Sequence, residues 1–143
     1  MENIQALGRP PRYTTPEEMQ KAIDAYFNYC TGEWLLDSNG RFILDANGRP
    51  TRVNTHPATI AGLALFLGFS TRKSLLDYQR KPMFRDTVTL AKARVEQAAE
   101  ESLFISDRYP GAKFYLLYCC GWARNTPEER NRDSVQVRFV NAR

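Results

Sequence analysis

The segment Thr59–Lys81, TIAGLALFLGFSTRKSLLDYQRK, constrains this chain most, because it predicts two short helices joined by a tight turn. Its first half repeats apolar residues at three- and four-residue spacing, which is typical of a helix with one buried face. Thr59 can cap the start of that helix, and Gly68 can end it by adopting the left-handed backbone conformation. Ser70 is predicted to cap the second helix. We therefore expect a helix pair whose second member begins with a polar, cationic turn.

The second helix of this pair has polar and basic side chains in front and apolar ones behind. Leu75, Leu76 and Tyr78 can face the first helix, as in helix-turn-helix proteins that place their polar face in a major groove. One residue more than usual separates Ser70 from Leu75, so the base-contacting positions stay open. An ordinary αα-hairpin with a solvated basic rim is the alternative. The predicted DNA-binding residues of this region are Thr71, Arg72, Lys73, Ser74, Arg80 and Lys81.

The composition is that of an ordinary globular protein with a modest basic excess. Hydrophobic residues make up 43% and charged residues 25% of the 143 residues, and the formal net charge is +4. A charge of this size fits a polyanionic partner but does not require one. No apolar run approaches the roughly 20 residues of a membrane-spanning helix, and the N-terminus lacks a signal-peptide pattern. We expect a cytosolic protein without a membrane partner.

The cysteine and histidine content argues against metal sites and histidine-based catalysis. The chain has three cysteines, of which Cys119 and Cys120 are adjacent, and one histidine, His56. Adjacent cysteines do not readily bridge each other, and one histidine leaves too few ligands for zinc and no catalytic triad. No glycine is followed by lysine, so a Walker-type phosphate loop is missing. We expect no cofactor, no metal and no enzymatic activity.

Before the helix pair lie a basic arm and a first helix. Residues 1–14 carry Arg9 and Arg12 among too few apolar residues to build a helix face, which predicts a flexible arm. The arm either contacts DNA through these arginines or is a frayed terminus. Thr15, followed by proline and two acids, predicts a helix start and the beginning of a DNA-binding domain that spans residues 15–82.

Residues 33–54 repeat the pattern Leu-Asp-x-Asn-Gly-Arg after eight residues. Each Asn-Gly predicts a tight hairpin turn with positive φ at both central residues, so we expect a β-hairpin or three-strand meander anchored by Trp34 and Phe42. The pattern lacks the later glutamate of a calcium loop. The arginines Arg41, Arg49 and Arg52 form either a second phosphate-contacting edge or a merely soluble one.

Residues 83–124 are predicted to be a helical oligomerisation region. Its longest helix, Met83–Ser106, carries an apolar stripe with the alternating spacing of helices that pack lengthwise. The stripe forms either a seam between subunits or a contact with the chain's own helices, and we favour the seam because Leu90, Leu103 and Phe104 can serve the intrachain core. The predicted seam residues are Val88, Ala91, Val95 and Ala98.

The C-terminal third combines an apolar helix with a charged tail. The helix Ala112–Cys120 follows a turn at Tyr109–Gly111 and is too apolar for an exposed element. In the tail, residues 125–143, a strand at 134–140 alternates apolar and polar side chains. A lone strand needs partners, and the same segment of neighbouring subunits can supply them. The apolar positions of that strand are Val135, Val137 and Phe139.

Several of these segments together are similar to the small terminase subunit of tailed bacteriophages, a DNA-packaging family. They are TIAGLALFLG at Thr59–Gly68, Leu75–Tyr78, the helix that begins at Phe84, Gly111–Phe114, and Gly121–Ala123. The resemblance covers roughly residues 15–124. The extra residue after Ser70 and the Asn-Gly ribbon depart from the commonest pattern.

This resemblance implies a non-enzymatic DNA recogniser of the host cytoplasm that is absent from the mature virion. Members form rings, bind a packaging site on viral double-stranded DNA and regulate the ATPase and nuclease of the large terminase subunit. The fold class so implied is mainly α, with a helix-turn-helix domain, a small β-hairpin insertion, a long oligomerisation helix pair and a C-terminal strand in an intersubunit barrel. A dimeric helix-turn-helix transcription regulator and a purely structural adaptor are the alternatives.

Overall fold

A computed structural model describes residues 12–125, which form five α-helices and one two-stranded antiparallel sheet. The elements are α1 Pro16–Thr31, β1 Glu33–Trp34, β2 Arg52–Val53, α2 Ile60–Phe66, α3 Arg72–Gln79, α4 Arg85–Ser102, α5 Tyr109–Tyr118 and a final 3₁₀ turn, Trp122–Asn125. The predicted mainly helical class is confirmed. The chain divides into two compact units at Val95, which we call the first unit and the second unit.

Helix α1 begins and ends where local sequence chemistry predicts. The Thr15 hydroxyl accepts the backbone N–H of Glu18 at 3.2 Å, and a proline occupies the first turn. At the other end Gly32 has a φ of 69°, and a Cβ at this position would overlap the carbonyl oxygen of Val53. Glycine is therefore needed both for the turn and for the close approach of β2. The buried face of α1 consists of Met19, Ile23, Tyr26 and Cys30.

The ribbon, residues 33–54, is a closed three-segment structure, whereas the sequence predicts a β-hairpin or a three-strand meander. The backbone N–H of Leu35 donates to the carbonyl of Thr51, that of Thr51 to Ile43 and that of Ile43 to Leu35, each at 2.9 Å. These residues are eight positions apart, one in each segment. Each donates to one of the other two, so the three hydrogen bonds form a closed ring. Strand β1 belongs to the first segment and β2 to the third, and the two pair directly. In a meander the first and third segments do not pair, because the second lies between them. Flanking bridges join Leu36 to Phe42 and Leu44 to Pro50.

Each repeat of the ribbon is closed by an aspartate that holds its own turn. The Asp45 carboxylate accepts the backbone N–H of Asn47 at 2.8 Å and that of Arg49 at 2.9 Å, and Asp37 makes the equivalent pair of bonds. These bonds, the one from Arg49 first, lower the pKa of Asp45. Among the turn residues only the glycines have positive φ, so each turn is a three-residue loop with a glycine bulge and not the predicted two-residue type.

Helix α4 buries the stripe that we predicted to be a subunit seam. Val88, Ala91 and Val95 are at most 1% exposed within the single chain, whereas Leu90, assigned to the intrachain core, is 55% exposed. The expected roles of the two faces are therefore reversed. Helical periodicity indicates that a stripe is covered but not which surface covers it, and here the first unit covers it.

Polar contacts fix α4 against α1 inside the first unit. The Arg94 guanidinium lies 2.7 Å from the Asp24 carboxylate, and its carbon lies 3.9 Å from the centroid of the Phe27 ring. The hydrogen bond from Arg94, followed by one from Gln20, lowers the pKa of Asp24. These contacts orient the buried face of α4 toward the helices that precede it in sequence.

The second unit is described over residues 96–125 and keeps most of its large apolar side chains exposed. Of residues 96–123 only Leu116 is buried, whereas Phe104, Phe114 and Tyr118 are exposed, Phe104 at 88%. The prediction that α5 is a buried helix is therefore wrong for the single chain. Ala98, the fourth residue of the predicted seam, is half-buried.

The bounds of the second unit's elements also differ from the predicted ones. Helix α4 ends at Ser102, four residues early, and the predicted turn at Tyr109–Gly111 is the first turn of α5, where proline is tolerated. In the part of the chain that the structure describes, no helix has the length and apolarity to cross a membrane. The predicted tail strand, with Val135, Val137 and Phe139, lies outside the described residues.

Candidate nucleic-acid interface

The turn between α2 and α3 is a tight, aromatic-packed corner. Gly68 has a φ of 85° and reverses the chain as predicted, after which the backbone N–H of Phe69 donates to the carbonyl of Ala64 at 2.9 Å. The buried Phe69 ring lies 5.1 Å from the Tyr78 ring and 6.0 Å from the Tyr13 ring. The corner therefore holds the start of α3 in one position relative to α2.

Helix α3 begins one residue later than predicted. Its cap is Thr71 and not Ser70: the Thr71 hydroxyl accepts the backbone N–H of Ser74 at 3.2 Å, and the two hydroxyl oxygens are 3.0 Å apart. Leu75 and Tyr78 are buried behind the helix. The extra residue after Ser70 is thus accommodated before α3 starts.

The predicted DNA-binding side chains divide into two groups, one at each end of α3. Thr71, Arg72 and Lys73 are exposed on its first turn, with Ser74 half-buried beside them. Over residues 12–125, neither Arg72 nor Lys73 forms an ion pair. Because the first backbone N–H groups of a helix lack partners within it, this end also carries the positive pole of the helix dipole.

The second group lies at the C-terminal end of α3, about 12 Å along an eight-residue helix. Arg80 is 3.7 Å from the Asp77 carboxylate, an exposed pair of little strength. The Lys81 ammonium lies 4.0 Å from the centroid of the Tyr78 ring. These cations are thus engaged by their own helix, whereas Arg72 and Lys73 are not.

Arg12 belongs to the same corner as the start of α3. Its guanidinium lies directly over Gly68, in the space that a Cβ would fill, and its backbone N–H donates to the Tyr78 hydroxyl at 2.9 Å. The boundary of the predicted arm at residue 14 is therefore corrected, since Arg12 and Tyr13 are fastened to the helix pair. Arg9 lies outside the described residues.

Sequence reasoning missed the role of Tyr13 and Tyr78 in joining the N-terminal segment to the helix pair. The two rings meet edge to face at 6.4 Å, although 65 residues separate them in sequence. An aromatic residue in an otherwise polar segment is the one signal that could have indicated a contact. Within residues 12–125 no group of three or more histidine, cysteine, aspartate or glutamate side chains is placed to hold a metal ion.

The protein is mainly helical, and α3 begins with two basic side chains, Arg72 and Lys73, that form no ion pair over residues 12–125. The packed α2–α3 corner holds this end of the helix in place. The family model of the DNA-packaging protein gp3 matches residues 8–125, and the chain belongs to that family. The match confirms the predicted relationship to phage DNA-packaging proteins, and it includes the ribbon as well as all five helices. No curated protein and no solved structure gave a match.

Proposed function

We propose that this protein recognises the packaging site on viral double-stranded DNA as a small terminase subunit, with α2 and α3 as its helix-turn-helix. The observation that carries the proposal is the exposed and unpaired Arg72 and Lys73 on the first turn of α3, in a chain of a DNA-packaging family. Buried Leu75 and Tyr78 hold this turn outward.

The chemistry of this turn suits a duplex backbone and its major groove. Arg72 and Lys73 supply cations for phosphates, and the positive end of the α3 dipole adds to their field. Thr71 and Ser74 offer hydroxyls close by, although both oxygens also serve the helix cap. Each good base-edge contact contributes about 1–3 kcal/mol of discrimination, so the charged pair supplies affinity and the remaining contacts supply selectivity.

In this proposal the protein has no catalytic activity of its own and acts in the host cytoplasm. It holds the viral DNA for the large terminase subunit, whose ATPase and nuclease it regulates. Copies associate in a ring through the exposed apolar side chains of the second unit, and the buried α4 stripe takes no part. Phe114 and Tyr118, with ring centroids 4.6 Å apart, offer an apolar face that a neighbouring copy can cover.

The DNA-binding face is tested by changing Arg72 and Lys73 to alanine together in the full-length protein. Fluorescence anisotropy of a labelled duplex is measured over a series of salt concentrations. We expect the slope of log affinity against log salt to decrease in magnitude by about 2 for each copy that contacts the DNA, because each such copy loses two phosphate contacts.

A charge-matched control keeps this test specific. Lys21→Ala with Arg108→Ala removes two other exposed cations and should leave the salt slope unchanged. If the salt slope decreases equally in both double variants, or in neither of them, α3 is not the DNA-contacting helix. A native mass that corresponds to a two-fold dimer would favour the transcription regulator instead.

A further inference from the structure

The N-terminal strap, residues 12–14, is fastened to the buried side of α3 through one hydroxyl group. The Tyr78 oxygen accepts the backbone N–H of Arg12 at 2.9 Å and that of Tyr13 at 3.3 Å. Tyr78 is only 7% exposed, so water does not readily replace these bonds. A residue of α3 that faces away from the proposed DNA surface thus determines the backbone position of a cationic residue.

Tyr13 provides a second fastening point for the strap. Its hydroxyl donates to the carbonyl of Leu67 at 2.8 Å, directly before Gly68. Its ring packs against Phe69 and Tyr78. Burial raises the pKa of Tyr13, so the hydroxyl keeps the proton that it donates. The strap is therefore held on both sides of the α2–α3 corner.

The Arg12 guanidinium is placed by this fastening and by the missing side chain of Gly68. It occupies the position that a Cβ of residue 68 would take, yet Arg12 as a whole is exposed. Among residues 12–125 it forms no ion pair. A cation that is held without a carboxylate partner and faces solvent keeps its charge available for an anion.

We propose that Tyr78 is a positioning residue, which holds Arg12 as a preorganised phosphate contact over Gly68, in the turn that precedes α3. This inference rests on the proposed DNA-binding function, since the phosphate is that of the same duplex. A long side chain that is already placed loses less conformational freedom on binding. Arg12 should therefore contribute more to affinity than a cation on a free arm.

Four full-length proteins test the proposal: wild type, Tyr78→Phe, Arg12→Ala and the double variant. Tyr78→Phe keeps the ring that packs on Phe69 and carries Lys81, and it removes only the hydroxyl acceptor. In the wild-type background we expect Arg12→Ala to weaken duplex binding about 2- to 10-fold, and to reduce the salt slope by about 1, for each copy that contacts the DNA. In the Tyr78→Phe background the same change should have less than half that effect on log affinity.

Equal effects of Arg12→Ala in both backgrounds would overturn the proposal, as would no effect in a wild-type protein that binds DNA. Amide hydrogen exchange gives a readout that needs no DNA: the Arg12 and Tyr13 amides should exchange at least tenfold faster in Tyr78→Phe. Unchanged exchange would refute the fastening itself. A wild type that shows protected amides but does not bind DNA would instead reject the proposed function together with the phosphate role.

Tyr13→Phe serves as the second variant in case Tyr78→Phe does not fold. It removes the bond to Leu67 and leaves the Tyr78 hydroxyl in place. Here too we expect faster exchange of the Arg12 amide and a smaller effect of Arg12→Ala. If Arg12→Ala weakens duplex binding as much in this variant as in the wild type, and the Arg12 amide exchanges at an unchanged rate, the strap does not position Arg12.

Discussion

The two units of the chain differ in where they keep their apolar side chains. Among the residues that the structure describes, the first unit contains every buried apolar side chain but one, although it also exposes large ones such as Leu65 and Met83. Residues 96–123 bury only Leu116 and expose Phe104, Phe114 and Tyr118. Full burial of one such side chain contributes about 1.5–3 kcal/mol. The first unit thus has its own core, and the second retains apolar area that an assembly can bury. Under the proposed function, DNA recognition by the first unit and assembly through the second unit are therefore separated along the chain.

The largest effect should come from placing a charge on either face of α4. Val95→Asp buries a carboxylate without a partner and should lower the free energy of unfolding by more than about 3 kcal/mol, because Val95 is fully buried in the first unit. Leu90→Asp, on the exposed face of the same helix, should cost less than about 1 kcal/mol. Thermal unfolding followed by circular dichroism measures both changes. A stable Val95→Asp protein that no longer assembles would restore the seam to the buried stripe.

A change in assembly without a loss of folding is expected from the second unit. Phe114→Glu places a charge on the exposed face of α5, so a ring held through this face should dissociate while the first unit stays folded. Native mass spectrometry and light scattering report the change in mass. The neighbouring Lys113→Gln is the control and should leave the mass unchanged. Intact rings in Phe114→Glu would show that another surface joins the copies.

Alkaline pH should weaken the first unit through Tyr26, which joins α1 to the start of α2. Its hydroxyl accepts the Thr59 N–H at 3.0 Å and donates to the Thr59 carbonyl, and burial raises its pKa to about 12. The unfolded chain loses this proton near pH 10 and the folded chain only near 12, so the stabilisation is complete below pH 10 and decreases as pH rises toward 12.

Tyr26→Phe tests that assignment by chemical denaturation at several pH values. The variant should be less stable at neutral pH by about 1–2 kcal/mol, because two hydrogen bonds to Thr59 are lost. Between pH 10 and 12 its stability should decline less steeply than that of the wild type. If the stability of the variant and of the wild type declines in parallel, the loss of stability at alkaline pH comes from other groups, among them Tyr13.

The smallest effect should be confined to the ribbon at acidic pH. The folded ribbon lowers the pKa of Asp45, so its stabilisation is complete above the ordinary carboxyl pKa and is lost as pH falls through the lowered value. The amides of Asn47 and Arg49 should then lose protection relative to their intrinsic exchange rates at the same pH, while the helices keep theirs. NMR hydrogen exchange measures this. Asp45→Ala removes the acceptor oxygen and should leave both amides weakly protected already at neutral pH.

Local chemistry made part of the architecture predictable. Thr15, Thr59 and Gly68 act over three or four residues, so the start of α1, the start of α2 and the corner before α3 follow from side-chain capping and backbone freedom alone. The same reasoning located the basic start of α3. It misplaced the cap by one residue because Ser70 and Thr71 have similar capping chemistry, and the choice between them depends on the corner that Phe69 fills.

Contacts between distant residues account for what could not be predicted. The amino-acid order specified which positions of α4 are covered, the aspartate-glycine turns and the cationic residues, because each depends on spacing or on neighbours. The fold alone settled which surface covers that stripe, how three ribbon segments close on one another, and that Tyr13 meets Tyr78. Those outcomes depend on competition among many possible partners for the same apolar area and hydrogen-bonding groups, and packing of the whole unit resolves that competition.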